Sequence, residues 1–479
     1  MGPALALVGG AAAVLLTTVI VGGLVLLGAE GLKPEAQVSA ATLFDLLKIA
    51  FAVVAGMGGL VALVVAYRRQ KVAEAAQKLA EDAHILARQG EERAHRGEAR
   101  EATKLHNDRF ATAAGQLGHD SPAVRLAGVH ALAGLADDAP TRELRQTCID
   151  VLCAYLRMPY APQPAADAPE AERLAFAGLR EVRHTIIRII TAHLREGAGV
   201  SWQGYDLDFT GVVFDGGDFT GARFAGGQVS FYGAEFASGR VSFDGAEFAS
   251  SRVSFYGARF TGGQVSFYGA EFAGGEISFE LATLSSGQVS FESMELSGGE
   301  IFFYGTRFTG GPVSFYGTRF TGGRISFTDA RFAGGQVSFL GTEFSGGQLA
   351  FERAALSSGQ VSFNDATCSS GEISFFGMKF SGGEASFFGV EFDGGRVSFT
   401  GAKFSGSEIS FTGAEFSGGW LDLSAVAGWA VPPVGLPQPA PPGLVLPAGW
   451  PGVGGQRGPD DAGRAGGGPE GPDGNLREA

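Results

Sequence analysis

Histidine, the side chain most often used as a base or a metal ligand, is confined to the first part of this 479-residue chain. All seven histidines precede residue 194. Three of them, His84, His95 and His106, are spaced by eleven residues in a charged, helix-forming segment. Eleven residues cover about 16 Å of helix, which is too far for one metal ion to reach two of them. We therefore expect exposed polar positions there and no metal site.

The cysteines give no sign of a disulfide framework or a reactive site. Cys148 and Cys153 lie five residues apart on a predicted helix, and Cys368 occupies a position that is otherwise apolar. Three such cysteines suit a reducing compartment. We expect all three to be free thiols.

Serines and carboxylates recur in the second half of the chain without an arrangement suited to catalysis. Serines such as Ser230 and Ser242 repeat every twelve residues with no histidine partner, so we interpret them as structural. The enzymatic alternative is a hydrolase that uses repeat carboxylates such as Asp244 and Glu247, but no carboxylate pair stands out from the repeat. The stretch 452–457 lacks the third glycine of a dinucleotide-binding loop. The sequence predicts a protein that is not an enzyme, with no catalytic, cofactor-binding or metal site.

Phenylalanine sets the pattern of residues 201–420. From Phe231 to Phe411 a phenylalanine recurs every twelve residues, sixteen times without exception. A second apolar column follows five residues behind, and a column of Val, Ile or Leu runs two residues ahead, with Ala385 as its exception. A fixed short period is typical of a solenoid, whose coils contact only their neighbours. We predict that the phenylalanine ladder is its core, beginning with Phe231, Phe243, Phe255, Phe267, Phe279, Phe291, Phe303 and Phe315.

These units resemble pentapeptide repeats, whose pattern is A-(D/N)-L-x-x with Leu or Phe at the centre. The match is cleanest in Leu207–Gly226, where Asp208-Phe209-Thr210-Gly211 and Asp218-Phe219-Thr220-Gly221 flank Phe214. Further along, two extra residues follow every second pentapeptide, which makes a unit of twelve. The resemblance implies a right-handed quadrilateral β-helix with four pentapeptides in each coil. A coil then has 24 residues, and sixteen units form eight coils, a rod of roughly 40 Å.

A coil of twelve residues is the competing arrangement. It would have to enclose two phenylalanines, a valine and an alanine in about a quarter of the cross-section, which overfills a densely packed interior. The charged outward residues from Glu235 to Glu415 instead favour the twelve-residue coil. Residues twelve positions apart in this column form seven opposite-charge and three like-charge pairs. Residues 24 positions apart form three opposite-charge and five like-charge pairs. Surface pairs contribute little, roughly 0–1 kcal/mol each, so core volume favours 24.

Two uncharged apolar runs near the start predict a transmembrane hairpin. Residues 4–27 and 49–67 are each long enough to span a bilayer. No Lys or Arg precedes the first run, which argues against a cleaved signal peptide. Arg68, Arg69 and Lys71 directly follow the second run, so the positive-inside rule places the later domains in the cytoplasm. We expect a cell-membrane protein with two spans.

Three further segments complete the predicted organisation. Residues 68–107 read as a charged helical stalk with a short coiled-coil seam, and residues 108–200 as a small α-helical domain. Its helix pairs look like HEAT or armadillo units, and Gln116–Tyr160 resembles a segment of actinobacterial membrane-anchored pentapeptide-repeat proteins. Residues 421–479 are rich in Pro, Gly and Ala, which predicts a disordered tail.

The charge balance narrows the choice of partners. The chain has a formal net charge of −14, and residues 206–422 carry 24 acidic and 12 basic side chains. An acidic rod repels nucleic acid, so we expect no direct nucleic-acid binding. We predict a non-enzymatic, membrane-anchored scaffold that presents the rod to a protein partner. Homo-oligomers could form through the transmembrane helices or the rod ends. The alternatives are a DNA mimic that modulates a type II topoisomerase, as some pentapeptide-repeat proteins do, and a purely structural repeat protein.

Overall fold

A computed structural model describes residues 14, 17–18, 20–23, 25, 39–161 and 163–450. The chain divides into two compact units, residues 1–98 and 99–479. From residue 39 onward, the described part of the chain has four helices before the strands: α1 (Ala40–Leu117), α2 (Pro122–Asp137), α3 (Arg142–Arg157) and α4 (Glu170–Leu194). Helix α1 belongs to the first unit up to residue 98 and to the second unit beyond it.

In the first unit, α1 carries the second predicted span and the stalk on one continuous helix. Over its apolar part the side chains are exposed; Leu60 is 67% and Leu63 72% exposed. By length and composition, α1 is the one helix among the described residues that could cross a membrane. The first predicted span, 4–27, lies mostly outside the described residues, although the described positions within it are helical. The structure therefore contains one candidate span where the sequence predicted two.

In the second unit, α2, α3 and α4 pack with the last turns of α1. Thr141 caps α3, since its hydroxyl accepts a hydrogen bond from the backbone N–H of Leu144. The end of α1 contributes Ala113 and Leu117 to the same core. The sequence pattern did not predict this fourth helix, because residues 108–117 continue the charged stalk without a break.

Residues 207–445 form a parallel β-solenoid with four sides. Following the chain from Gln228, we call the sides faces 1 to 4. Face 1 is a sheet of eleven strands: Leu207–Asp208, Gln228–Ser230, Arg252–Ser254, Glu276–Ser278, Glu300–Phe302, Arg324–Ser326, Gln348–Ala350, Glu372–Ser374, Arg396–Ser398, Trp420–Asp422 and Leu444–Val445. Face 2 holds Val213–Phe214, Glu235–Phe236, Arg259–Phe260, Thr283–Leu284, Arg307–Phe308, Lys379–Phe380, Lys403–Phe404 and Gly428–Trp429.

Face 3 holds Gly217–Asp218, Arg240–Ser242, Gln264–Ser266, Gln288–Ser290, Val313–Ser314, Glu384–Ser386 and Glu408–Ser410. Two longer strands, Arg331–Ser338 and Ala355–Ser362, run through the corner and join faces 2 and 3. Face 4 holds Arg223–Phe224, Glu247–Phe248, Glu271–Phe272, Glu295–Leu296, Arg319–Phe320, Glu343–Phe344, Thr367–Cys368, Glu391–Phe392 and Glu415–Phe416. The eleven strands of face 1 correspond to about ten turns, or about 48 Å of rod.

Strand pairing confirms the 24-residue coil. Gln264 pairs with Gln288, and Arg259 pairs with Thr283, each 24 residues on. Residues twelve apart instead lie on faces that are not adjacent, such as Glu235 on face 2 and Glu247 on face 4. The charge alternation at twelve residues is thus a difference between opposite sides of the rod and is not a sign of a smaller coil.

The phenylalanine ladder divides into two stacks inside the rod. Phe231 stacks on Phe255 with ring centroids 4.6 Å apart, and Phe243 stacks on Phe267 at 4.9 Å. The two stacks meet edge to face, as in the Phe231–Phe243 pair at 5.8 Å and 84°. The rings are at most 2% exposed along the whole ladder. Stacked and edge-to-face pairs both suit the aromatic quadrupole, so one ring type can fill the core throughout.

Glycine is needed where the coils turn and where their backbones approach. The residue two after each ladder phenylalanine has a positive φ; eleven of these sixteen residues are glycine. Arg353 and Leu281 hold the same turn at φ 55° and 56°, a conformation that L-residues disfavour. At the spacers the reason is contact, since a Cβ on Gly310 would lie 1.6 Å from the carbonyl oxygen of Ser285.

The solenoid continues past the predicted boundary at residue 420. Leu421 pairs with Leu444 on face 1, and Lys403 pairs with Gly428 on face 2. Trp450 is 5% exposed and contacts Trp429, with ring centroids 5.3 Å apart. The prediction of a disordered tail is therefore wrong for residues 421–450, because backbone pairing extends the rod where the twelve-residue period has ended. Residues 451–479 lie outside the described residues.

We expect Phe303→Ala to lower the stability of the rod far more than Tyr304→Ala. Phe303 is fully buried between stacked rings, and its truncation leaves a cavity that costs about 3–5 kcal/mol. Tyr304, the next residue, is 45% exposed and serves as the matched control. Denaturant unfolding of the full chain in detergent, followed by circular dichroism, measures both. Equal midpoints for the two variants would contradict the stacked core.

Candidate functional site

The serines and carboxylates of the repeat have structural partners. The Ser230 hydroxyl accepts a hydrogen bond from the backbone N–H of Tyr232 at 3.3 Å, and this contact recurs along the rod. Asp244 forms an ion pair with Arg240 at 2.6 Å, and Glu247 pairs with Arg223 at 3.4 Å. The Ser266 hydroxyl also donates a hydrogen bond to Asp244. These contacts tie neighbouring residues of the coils together.

Burial makes the cysteines unreactive, and it also removes His106 from solvent. His106 is 5% exposed with its Nε2 3.8 Å from Cys148 Sγ, so the prediction of an exposed histidine is wrong there; the other two histidines of the series are exposed. Desolvation raises the pKa of Cys148 and of Cys368 to about 11, and that of Cys153 to about 12. Neutral thiols of this kind are poor nucleophiles at pH 7.

A buried carboxylate fastens the helices to the first coil of the rod. Asp215, which is 9% exposed, accepts hydrogen bonds from Tyr160 Oη at 2.7 Å and from Arg180 Nε at 3.0 Å. His184 Nε2 lies 3.0 Å from its other oxygen. Burial opposes ionisation, but the hydrogen bonds from His184 and Tyr160 and the charge of Arg180 outweigh it, so the pKa of Asp215 lies below its ordinary value. The carboxylate is ionised and fully partnered, which suits a structural clamp.

A second contact of the same kind involves Asp137. One of its carboxylate oxygens accepts a hydrogen bond from Trp202 Nε1 at 3.0 Å. The other oxygen lies 3.1 Å from His193 Nε2. The rings of His193 and Trp202 stack at 4.1 Å, and Trp202 is fully buried. Thr191 adds a hydrogen bond to the carbonyl of Asp218 in the first coil. Helix α4 therefore covers the first coil. The sequence did not reveal these clamps, because their partners lie 27 to 65 residues apart.

Two of the concave regions of the second unit are lined mainly by apolar side chains or by glycine. An apolar cleft of 470 Å³ lies among the helices, with Leu117, Val151 and Leu179 in its wall and Arg125 at its edge. A groove of 810 Å³ runs along the corner between faces 2 and 3, lined by spacer glycines and by Gln336, among others. Among the residues that the structure describes, no group of three or more His, Cys, Asp or Glu side chains could hold a metal ion.

The exterior of the rod is sorted by charge. Between Val213 and Gly428 at its two ends, the outward residues of face 2 are one acidic, five basic and two neutral: Glu235, Arg259, Thr283, Arg307, Arg331, Ala355, Lys379 and Lys403. The nine of face 4 are six glutamates, two arginines and a threonine: Arg223, Glu247, Glu271, Glu295, Arg319, Glu343, Thr367, Glu391 and Glu415. One side of the rod is therefore basic and the opposite side acidic.

The other two faces lack this bias. The outward residues of face 1 include three arginines and three glutamates: Gln228, Arg252, Glu276, Glu300, Arg324, Gln348, Glu372 and Arg396. Those of face 3 are mainly glutamine: Arg240, Gln264, Gln288, Pro312, Gln336, Gln360, Glu384 and Glu408. The charge separation is thus a property of faces 2 and 4 alone.

Like charges stand directly above one another on these two faces. Arg307 pairs in register with Arg331, Lys379 with Lys403, and Glu391 with Glu415. Cross-strand neighbours of like charge are destabilising. Within the described part of the chain, eight of these side chains form neither a hydrogen bond nor an ion pair: Arg307, Arg331, Lys379, Lys403, Glu271, Glu343, Glu391 and Glu415. Faces 2 and 4 are the candidate interaction surfaces.

Comparison with known proteins identifies no relative of this chain. No family model, curated protein or solved structure matches the chain. The four-sided parallel solenoid, with its regularly spaced phenylalanines, nevertheless fits the pentapeptide-repeat fold that the sequence resembles.

We expect Asp215→Asn to weaken the joint between helices and rod by about 2 kcal/mol at pH 7, because the ionised partner of Arg180 and His184 is lost. A carboxyl whose pKa is depressed by folding stabilises above its unfolded pKa of about 3.9, and this contribution disappears as the pH falls through the folded value. The difference between wild type and variant should therefore shrink below pH 4. Unfolding at pH 7 and pH 3 tests this, with exposed Asp393→Asn as the control; a gap that is the same at both pH values would refute the clamp.

Proposed function

We propose that this protein is a non-enzymatic scaffold, anchored in the cell membrane, whose pentapeptide-repeat-like rod binds protein partners through faces 2 and 4. The observation that carries the proposal is the unpaired charge on these faces. The core is filled by stacked phenylalanines and encloses no site for a substrate, while both charged faces are flat and exposed. Repeat solenoids of this type typically act by binding along an extended surface.

Complementary charge gives such a surface its specificity. Charged side chains that are arranged in columns steer oppositely charged partners and exclude wrong ones, even where each pair adds little affinity. Face 2 would select a partner with an acidic surface and face 4 one with a basic surface. A scaffold with two faces of opposite sign can hold two different partners at once.

The exposed apolar part of α1 supports membrane anchoring. An uncovered apolar run of this length is costly in water and is satisfied by a bilayer. Arg68, Arg69 and Lys71 follow it directly on the same helix, which favours the cytoplasmic side for the later residues. The apolar residues 4–27 would supply a second span.

The charge sorting argues against the DNA-mimic alternative. Duplex DNA is negative on every side, whereas face 2 carries five basic residues and one acidic residue. A topoisomerase channel that accepts DNA would meet this basic side. Inhibition of supercoiling by the full chain would reinstate the alternative.

We expect Lys379→Glu/Lys403→Glu and Glu391→Lys/Glu415→Lys each to remove a specific set of partners. Affinity capture of the tagged full chain from gently solubilised membranes, followed by mass spectrometry, records which polypeptides bind each variant. Arg324→Glu/Arg396→Glu on face 1 changes the net charge by the same amount as the first variant and should leave the partners unchanged. If all three variants retain the wild-type partners, faces 2 and 4 are not the binding surfaces.

We expect a C-terminal epitope tag to be digested by protease in inside-out vesicles and protected in right-side-out vesicles. The basic cluster at residues 68, 69 and 71 is the physical reason, because basic residues are retained on the cytoplasmic side. Immunoblotting of the tag gives the measurement, and detergent-opened vesicles supply the control. Protection only in inside-out vesicles would place the rod outside the cell.

A further inference from the structure

The two charged faces fit each other. Each repeats with the spacing of the coil, because one outward residue of each face stands on every turn. Two rods laid side by side therefore bring columns of equal spacing together. Four unpaired cations on face 2 correspond in number to four unpaired carboxylates on face 4.

The order of charges along the columns matches as well. With two copies aligned in the same direction and Arg259 set against Glu271 of the other copy, Arg331 meets Glu343, Lys379 meets Glu391 and Lys403 meets Glu415. This alignment has four opposite-charge pairs and two like-charge pairs, Glu235 with Glu247 and Arg307 with Arg319. Apart from Arg259, every member of the four opposite-charge pairs is unpaired within its own rod. Within a single rod the stacked neighbours on these columns are more often alike than opposite, so a second copy offers the pairing that the rod itself lacks.

We propose that face 2 of one copy binds face 4 of another, so that the protein assembles into lateral rows. The contact is heterologous: one copy keeps its acidic face free and the other keeps its basic face free, so the row can extend. Exposed ion pairs are individually weak, so assembly depends on many of them together and on the raised local concentration of chains held in one membrane. The inference rests on the proposed scaffold function for its membrane setting, and it names a second copy of this chain as the partner.

Salt and charge reversal test the proposal on the purified full chain. Donor- and acceptor-labelled copies are reconstituted into liposomes of neutral phosphatidylcholine, where energy transfer reports association. We expect association to fall as salt is raised from about 0.05 M to about 0.5 M, because the screening length then shortens well below 10 Å. Lys379→Glu/Lys403→Glu and Glu391→Lys/Glu415→Lys should each weaken association by roughly tenfold. Arg324→Glu/Arg396→Glu should not.

Mixing the two reversed variants gives the decisive result. The first variant carries two glutamates on its basic face and the second carries two lysines on its acidic face, so each associates weakly with itself, yet each presents a face that the other can bind. Recovery of energy transfer in the mixture supports the proposal and also shows that both variants are folded. Association that is indifferent to salt and to all variants, loss in only one of the two reversals, or no recovery on mixing would overturn it. Flotation of the liposomes measures anchoring separately, so a failure of the membrane proposal is distinguished from a failure of the lateral contact.

Discussion

The constraint on which the rod depends is that each residue lies directly beneath the residue 24 positions later. Strands at about 4.8 Å spacing leave no freedom in what a side chain meets, because its neighbour is the equivalent residue of the next coil. Inside the rod this favours a side chain that packs well on itself. Phenylalanine does so, with centroids near 4.8 Å in Phe279 on Phe303. At some corners the same closeness excludes a Cβ atom, as the contact of Gly310 with Ser285 shows.

The stacking of equivalent residues on successive coils lowers the stability of the rod where those residues are charged and point outward. Self-stacking favours an aromatic ring but penalises a charge, so a column of lysines or glutamates lowers the stability of the rod. The penalty is small in water, roughly 0–1 kcal/mol for each exposed pair. Each fully buried phenylalanine stabilises by about 1.5–3 kcal/mol, and two ladder rings are added on every coil. The core therefore leaves enough stability for the surface to carry unfavourable columns.

The period predicted the core of this fold and much less of its ends. Twelve-residue recurrence of Phe231 and its successors led to a solenoid, and the volume of the rings led to the coil of 24. The clamps at Asp215 and Asp137 have no periodic signal, because they join a helix to a coil across many residues. Strands such as Leu444–Val445 pair through the backbone, and the Pro- and Gly-rich sequence around them has no pattern that predicts a strand. The separation of charge onto opposite faces can be seen in the sequence only when residues 24 positions apart are compared. When residues twelve positions apart are compared, the same charges resemble ion pairs between neighbouring coils.

That rearrangement also decides what the charges mean. Alternation at twelve residues would, in a small coil, place Arg259 above Glu247 and stabilise the rod from within. In the observed coil these two residues are on opposite sides and cannot meet in one molecule. Charges that served stability alone would alternate along each face, as Arg252 and Glu276 do on face 1, where they lie 3.3 Å apart. On faces 2 and 4 three such pairs form, Arg259 with Glu235, Arg223 with Glu247 and Arg319 with Glu295. The remaining basic and acidic columns are separated by the width of the rod, and another molecule can complete their pairing.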